Sequence, residues 1–493
     1  MEMTTETHPT PAHEEIRESH ESRRVSAFTD DALGTLDATG VAAAIRAGEI
    51  SAGEAVEAAI ARVAQVDPVL GATTVDDHDR ARRRAAHVPQ GTPAPFAGVP
   101  TAFKDNVTVE GLPMRMGSDA LPDRPGCADG PFVRQYLSTG VVPIATTTCP
   151  PFGWTATTER PGGRITRNPW ATGYSSGGSS GGTAALVASG ALPIAHGNDG
   201  GGSIRIPAAA CGLVGLKVTR GRLLGDPSTD KLPVQLVVNG VLTRTVRDTA
   251  TFLAAAEQHQ PARKLPPVGL VEGPGARRLR IGMMVDSPLA RATDPQTREA
   301  VEAAARLLDG LGHTVDDTLQ VPVPKFFKTD FEDYWSLLAM ASSRQGKQLY
   351  GPDFDPDKLD PFTRGLADRA LRRLHRAPLY LARLRATGFA ADRLFPAEAD
   401  LVLTPTLSHT TPRIGHLSGD LDFDTHFARL LDYVGFTPLH NASGQPAISL
   451  PLGRTDDGRP IGVMLSARSG QERLLLELAF ELEAAAPFAS LAG

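Results

Sequence analysis

Three clusters between positions 95 and 221 carry residue types that could do chemistry. Lys104 sits in Gly98-Val99-Pro100-Thr101-Ala102-Phe103-Lys104-Asp105-Asn106, at the end of an apolar, strand-like run. A charged ammonium is costly to bury there. At an ordinary pKa near ~10.4 only about one lysine in several thousand is neutral at pH 7, so an unshifted Lys104 is no base. Desolvation that favours the neutral amine could lower the pKa by about three, worth about 4 kcal/mol, and make it one. An ion pair with Asp105 at a strand end is the competing, structural reading. The second cluster is Gly177-Gly178-Ser179-Ser180-Gly181-Gly182-Thr183, ahead of an Ala-rich helix. Its small residues let the backbone turn tightly and approach a ligand or another chain. It lacks the lysine of a phosphate loop. Ser179 satisfies the Gly-x-Ser-x-Gly of a nucleophile elbow, yet the preceding NPWATGYS does not read as the buried strand an elbow needs. The third cluster is Asn198-Asp199-Gly200-Gly201-Gly202-Ser203-Ile204-Arg205. Three glycines before a serine allow several N–H groups to converge on one spot, as an oxyanion hole requires, with Ser203 beside it as a nucleophile. A sharp glycine turn between strands is the alternative. A serine also needs a base; His196, His409 and His440 are available in the sequence, but spacing alone places none of them.

The elements that must position these residues are short buried strands. FAGVPTAFKDN, GVVPIATTTCP and ALPIAHGNDGGGS are apolar runs separated by Gly, Pro, Ser and Thr, with Thr183 to Ser189 expected as a helix between two of them. Upstream, Ser51 and Glu54 resemble a capping box, and Ala55, Val56, Ala59, Ile60 and Val63 recur at helical spacing until Asp67-Pro68 is expected to end the helix. Residues 1 to about 28 lack hydrophobic periodicity and read as a mobile tail. Residues 279 to 320 read as strand, helix and strand, and 326 to about 390 as helical, split at Pro378. The arginines of that helical stretch read as a solvated outer face, with an anionic partner as the alternative. ADLVLTPT, GQPAISLPLG and RPIGVMLSA return to strand texture before a last helix from about Gln471 to Ala486.

The 493 residues are 41% hydrophobic and 22% charged, which excludes collagen-like, coiled-coil and globally disordered chains. A formal charge of −6 offers no basic field for nucleic acid or acidic membranes, so a small-molecule partner is expected. The three cysteines, Cys127, Cys149 and Cys211, show no C-x-x-C spacing for zinc or redox work, and the start of the chain has no apolar leader. Both point to a cytoplasmic protein. Only eight of the 50 Lys+Arg residues are lysines, which makes a lysine in an apolar setting worth weighing.

Taken jointly, Lys104 in V-P-x-x-x-K-D, the GGSSGG run, and D-x-G-G-S-I-R-x-P beginning at Asp199 resemble the amidase signature family. The likeness is dense from about Pro95 to Gly221 and continues through GLKVTRGR, LVLTPT and NASGQPAISLPLG. HGND, GSIRIPA and NASGQPAISLPLG are most similar to bacterial members that act on synthetic amides: cyclic-dimer hydrolases of nylon oligomers, aryl amidases and urethanases. The resemblance implies an α/β fold with one large mixed, twisted sheet covered by helices on both faces, as a single domain over 29–493 with a variable helical segment. It implies Ser203 as nucleophile, Ser179 on a cis peptide as proton relay, Lys104 as neutral base, and an oxyanion hole from the N–H groups of Gly200, Gly201, Gly202 and Ser203. By the same analogy Phe152, Gly153, Trp154, Asn441 and Gln445 line the substrate pocket, with neither metal nor organic cofactor required. Few charges lie near these motifs, so uncharged amides, anilides, carbamates or esters are expected, on a monomer or homodimer. The rival readings are a glutaminase-type subunit of a tRNA-dependent amidotransferase, an α/β-hydrolase-like esterase using Ser179, and a non-catalytic binding protein.

Overall fold

A computed structural model of the chain describes residues 22–88, 91–226, 229, 231–319 and 321–492. The apolar runs become thirteen strands: β1 Thr73–Asp76, β2 Pro100–Lys104, β3 Val142–Thr147, β4 Arg167–Asn168, β5 Ala171–Ser175, β6 Ile194–Asp199, β7 Val214–Lys217, β8 Val238–Thr243, β9 Arg280–Met283, β10 Thr314–Asp316, β11 Leu401–Pro405, β12 Ala447–Arg454 and β13 Pro460–Ala467. Every residue of β2, β3, β6, β7 and β8 is buried. Continuous apolar runs rather than alternating ones are what strands covered on both faces require.

Eight strands form one mixed sheet in the order β10-β9-β11-β13-β12-β7-β8-β6, parallel across β10, β9 and β11 and antiparallel from there on. Helices flank it, as the α/β expectation required. The C-terminal hairpin β12–β13 therefore occupies the middle of the sheet. A smaller sheet, β1-β3-β2, ends on β2. β2 lies beside β6, but no backbone ladder joins them. Side chains bridge this seam instead: Thr101 Oγ1 donates to Ile194 O at 2.9 Å, and the Lys104 N–H donates to His196 Nδ1 at 3.2 Å. Phe103 and Phe132 pack on the His196 ring, and Tyr136 and Phe252 extend the cluster behind them, each aromatic pair contributing about 0.5–1.5 kcal/mol beyond area burial.

Several boundaries differ from expectation for local reasons. The helix Ala52–Leu70 has its capping box between Ser51 and Glu54 but continues past Pro68 to Gly71, whose φ of +60° ends it. Residues 22–28 are not part of a mobile tail. The N–H groups of Val25 and Ala27 donate to Pro169 O and Ser189 O, and Phe28 lies under the Arg62 and Arg244 guanidiniums. The tail expected over 1–21 lies outside the described residues. NPWATGYS does contain a strand, β5, but its ladder is with β4 in a two-stranded ribbon, supplemented by an isolated bridge from Tyr174 to Arg413. Ser179 is not on its end.

The helical segment splits at Pro378 as expected: Pro361–Arg373, one 3₁₀ turn at Leu374–Arg376, then Ala377–Leu394. Its arginines are not merely solvated. Arg369, Arg373 and Arg376 converge on the buried Asp333 of helix Phe327–Arg344 at 2.7, 2.6 and 2.9 Å, and Arg383 pairs with Asp330 at 2.8 Å. Cys127, Cys149 and Cys211 are all free. Among the described residues no helix is long and apolar enough to cross a membrane.

Candidate active site

β2 delivers Lys104 into a fully buried position. Its Nζ lies 2.7 Å from Ser179 Oγ and 2.7 Å from Asn198 Oδ1, and Asn106 Nδ2 donates to that same oxygen at 3.1 Å. Burial pulls the lysine down to about 8, against the opposing influence of Cys149 and Asp199. At that value about one molecule in ten holds a neutral amine at pH 7. Asp105 does not pair with it. That carboxyl accepts from the Arg115 N–H at 2.8 Å, and burial pushes it up to about 6.

The GGSSGG run brings Ser179 to the amine. The Gly178–Ser179 peptide is cis, and helix Gly181–Ala188 starts immediately after it. The 3₁₀ turn Pro151–Gly153 closes over Ser179. A Cβ on Gly153, at φ +72°, would stand 3.0 Å from Ser179 Oγ, so only glycine lets this turn approach so closely. Phe152 holds φ +52°, an uncommon conformation for a non-glycine residue and one that gathers at functional sites. Its ring stacks on Trp154 at 6.2 Å and meets Tyr350 at 5.8 Å, forming an aromatic wall. Of the three residues expected at the pocket, Gly153 abuts Ser179, while Phe152 and Trp154 flank it and pack with Ala120, Leu121, Phe354 and Leu359.

Ser203 stands at the end of the glycine loop between β6 and helix Arg205–Cys211. Its hydroxyl makes no hydrogen bond to a described residue, Ser179 included. The loop is braced by Asp199. Its carboxylate accepts from the N–H of Gly202 at 2.7 Å and of Ile204 at 3.2 Å, and from Arg205 Nε and Nη2 at 2.9 Å each. Burial pushes that carboxyl up, but the Arg205 guanidinium outweighs it and holds it well below the usual range. Thr437 Oγ1 donates to Gly201 O at 2.6 Å, and a Cβ on Gly202, at φ +133°, would collide with Thr437. Because Asp199 takes the Gly202 N–H, that group is withdrawn from the expected oxyanion hole. The N–H groups of Gly200, Gly201 and Ser203 have no acceptor among the described residues.

Asn441 and Gln445, expected at the pocket, are buried and bonded to other residues of the protein. Asn441 Nδ2 donates to Asp199 O and Oδ1 at 2.9 and 2.8 Å and to Leu236 O at 3.1 Å, while its Oδ1 accepts from Arg205 at 2.7 Å. It braces the loop from behind. Gln445 Nε2 donates to Asp392 at 3.0 Å. His196 and His440 are likewise unsuited as bases. His196 accepts from the Lys104 N–H and burial pulls it down to about 3. His440 lies 3.3 Å from Arg205 and is held well below its usual value by burial and that cation. His409 contacts Thr410 O. Asn198, Arg205 and Thr437 were not legible as site residues, although a charged pair flanking three glycines was a signal for Arg205.

Known proteins resemble this chain along nearly its whole length. The family model described as Amidase matches residues 54–476. The protein named as an amidase, AmiC, of Mycobacterium leprae (strain TN) is 49% identical over 471 residues, 95% of this chain and 99% of its own. The 6-aminohexanoate-cyclic-dimer hydrolase of Paenarthrobacter ureafaciens is 36% identical, covering 92% and 95%. The solved structure of 6-aminohexanoate cyclic dimer hydrolase with its substrate superposes with a TM-score of 0.81 at 34% identity, over 92% of this chain and 97% of that one. A bacterial aryl acylamidase of the amidase signature family gives 0.77 at 26%, over 92% and 96%. The chain belongs to the Amidase family, the amidase signature enzymes that hydrolyse amides.

Proposed function

We propose that this enzyme cleaves small uncharged amides, anilides or carbamates, and activated esters, through an acyl-enzyme on Ser203. The observation that carries the reading is the buried Lys104 amine, 2.7 Å from Ser179 Oγ and brought into the titrating range. Ser203 Oγ attacks the carbonyl carbon and its proton passes through Ser179 Oγ to Lys104 Nζ. The free N–H groups of Gly200, Gly201 and Ser203 face the developing oxyanion; one such donor contributes about 3 kcal/mol in other hydrolases. The C–N bond then breaks, and the lysine ammonium returns its proton through Ser179 to the leaving amine. Water attacks the acyl-enzyme, gives its proton to Lys104 by the same relay, and releases the acid with Ser203 restored. The relay requires the Ser203 and Ser179 hydroxyls to come within hydrogen-bond reach as the carbonyl is attacked.

An uncharged substrate fits walls made by Phe152, Trp154 and Tyr350, with Asp199 and Arg205 neutralising each other behind the loop. A 36% identical relative named for hydrolysing a cyclic amide dimer supports the same class. The test is labelling of the full-length chain by a fluorophosphonate, with mapping of the modified peptide, alongside turnover of p-nitroanilides, carbamates and esters. Labelling of Ser203 and anilide turnover by the isolated chain are expected. A label on Ser179, or none, refutes the assignment, and turnover that appears only with a partner subunit refutes the stand-alone reading.

A further inference from the structure

A neutral lysine amine has two hydrogens and one lone pair. To take a proton from Ser179, the lone pair must point at Ser179 Oγ, so the hydrogens need another destination. Lys104 Nζ has two hydrogen-bonding partners among the described residues, Ser179 Oγ and Asn198 Oδ1, each at 2.7 Å. Asn198 is fixed by β6, where it lies opposite Asn239 of β8, and Ser180 Oγ donates to its carbonyl at 3.4 Å. Two donors, Lys104 Nζ and Asn106 Nδ2, converge on its side-chain oxygen, which distinguishes that atom from the amide nitrogen. We propose that Asn198 is a positioning residue for the base: its oxygen holds a hydrogen of the Lys104 amine, turning the lone pair toward Ser179, and being uncharged it does this without an anion at the nitrogen.

The surroundings show why the missing charge matters. Asp105, the neighbour on the same strand end, turns its carboxyl to the Arg115 N–H. Cys149, following β3, is a thiol that burial pushes up to about 12, and His196 on β6 is neutral. Asp199, the next residue along, spends its charge on Arg205. No carboxylate among the described residues touches Nζ. An aspartate at 198 would be the first, and an opposite charge in contact favours the ammonium, which cannot accept a proton. The inference rests on the reading of Lys104 as general base.

The experiment measures the rate of fluorophosphonate labelling of Ser203 in the full-length chain between about pH 6 and about pH 10, with circular dichroism as a folding control. The wild type is expected to show an acid limb near 8. Asn198→Asp should move that limb up by at least about one pH unit, lowering the rate at pH 7 about tenfold or more and recovering it at high pH. Asn198→Ala should lower the rate about 10- to 100-fold at every pH without raising the limb, and Asn198→Ser should regain part of that loss by restoring an oxygen. A limb for Asn198→Asp that coincides with the wild type, or an Asn198→Ala rate within about twofold of it, overturns the proposal. If Asn198→Asp fails to fold, the Ala and Ser pair decides: no rescue by Ser overturns it. A flat wild-type profile, or Lys104→Ala labelled at the wild-type rate, instead refutes Lys104 as base.

Discussion

Placing an amine at the buried end of β2 penalises the fold and, on the proposed mechanism, prepares the base in the same step. Lys104 falls from 10.5 in the open chain to about 8 when folded, chiefly through burial. Between those values the unfolded chain binds the extra proton, so stability rises with pH from 8 to 10.5, and below 8 the whole penalty is present. Lys104→Met keeps the shape and removes the charge. It should lose at least about a thousandfold in turnover while gaining about 2 kcal/mol of stability at pH 7, an advantage that vanishes by about pH 10.5. Paired thermal melts at pH 7 and pH 10 check the sign. Lys104, Ser179 and Ser203 stood out in the sequence because glycines and apolar runs surround them, and the structure brings the first two within 2.7 Å of each other. The partners of Asn441 and Gln445 were not legible because sequence does not reveal which way a side chain leaves helix Pro438–Ser443 or the turn after it. Their residue types suited a pocket, but Asn441 bonds to Asp199 and Gln445 to Asp392.

At the scale of elements, the glycine loop is rigid only because other elements hold it. Asp199 ends β6, Arg205 begins the next helix, and Thr437 and Asn441 reach the loop from a helix more than two hundred residues on. Asn441→Ala would leave Asp199 O and Leu236 O without donors, at about 2–3 kcal/mol. Because it acts through the loop and not on the amine, it should lower kcat about 10- to 100-fold and leave the acid limb where it is. A pH–rate series on the folded variant tests this. Most strands were legible from their unbroken apolar runs. Two misreadings have physical causes: Pro68 sits in the last turn of its helix, where it is tolerated for one further turn, and β5 is short, half-exposed and paired outside the main sheet.

Across the whole molecule, the reacting groups come from both sides of the seam between β2 and β6, where side chains replace a ladder. No periodicity in the sequence records such a seam, so the division into two sheets was not legible. The helical segment is fastened differently, through Asp333. That carboxylate is buried and meets three arginines, and Phe331 from the same helix lies against the glycine loop. Asp333→Ala should cost about 2–3 kcal/mol, discounted for the partly exposed Arg373 and Arg376, and calorimetry at low and high salt would measure it. The placing of β12 and β13 at the centre of the main sheet has a consequence for biosynthesis. A nascent chain carries Lys104, Ser179 and Ser203 while most of its length is still untranslated. It has neither the Thr437 and Asn441 props nor the two strands that bridge β7 to β11. On the proposed mechanism, a chain whose last strands are not yet made should carry all three triad residues and still be inactive, its serine armed only when β12 and β13 close the sheet.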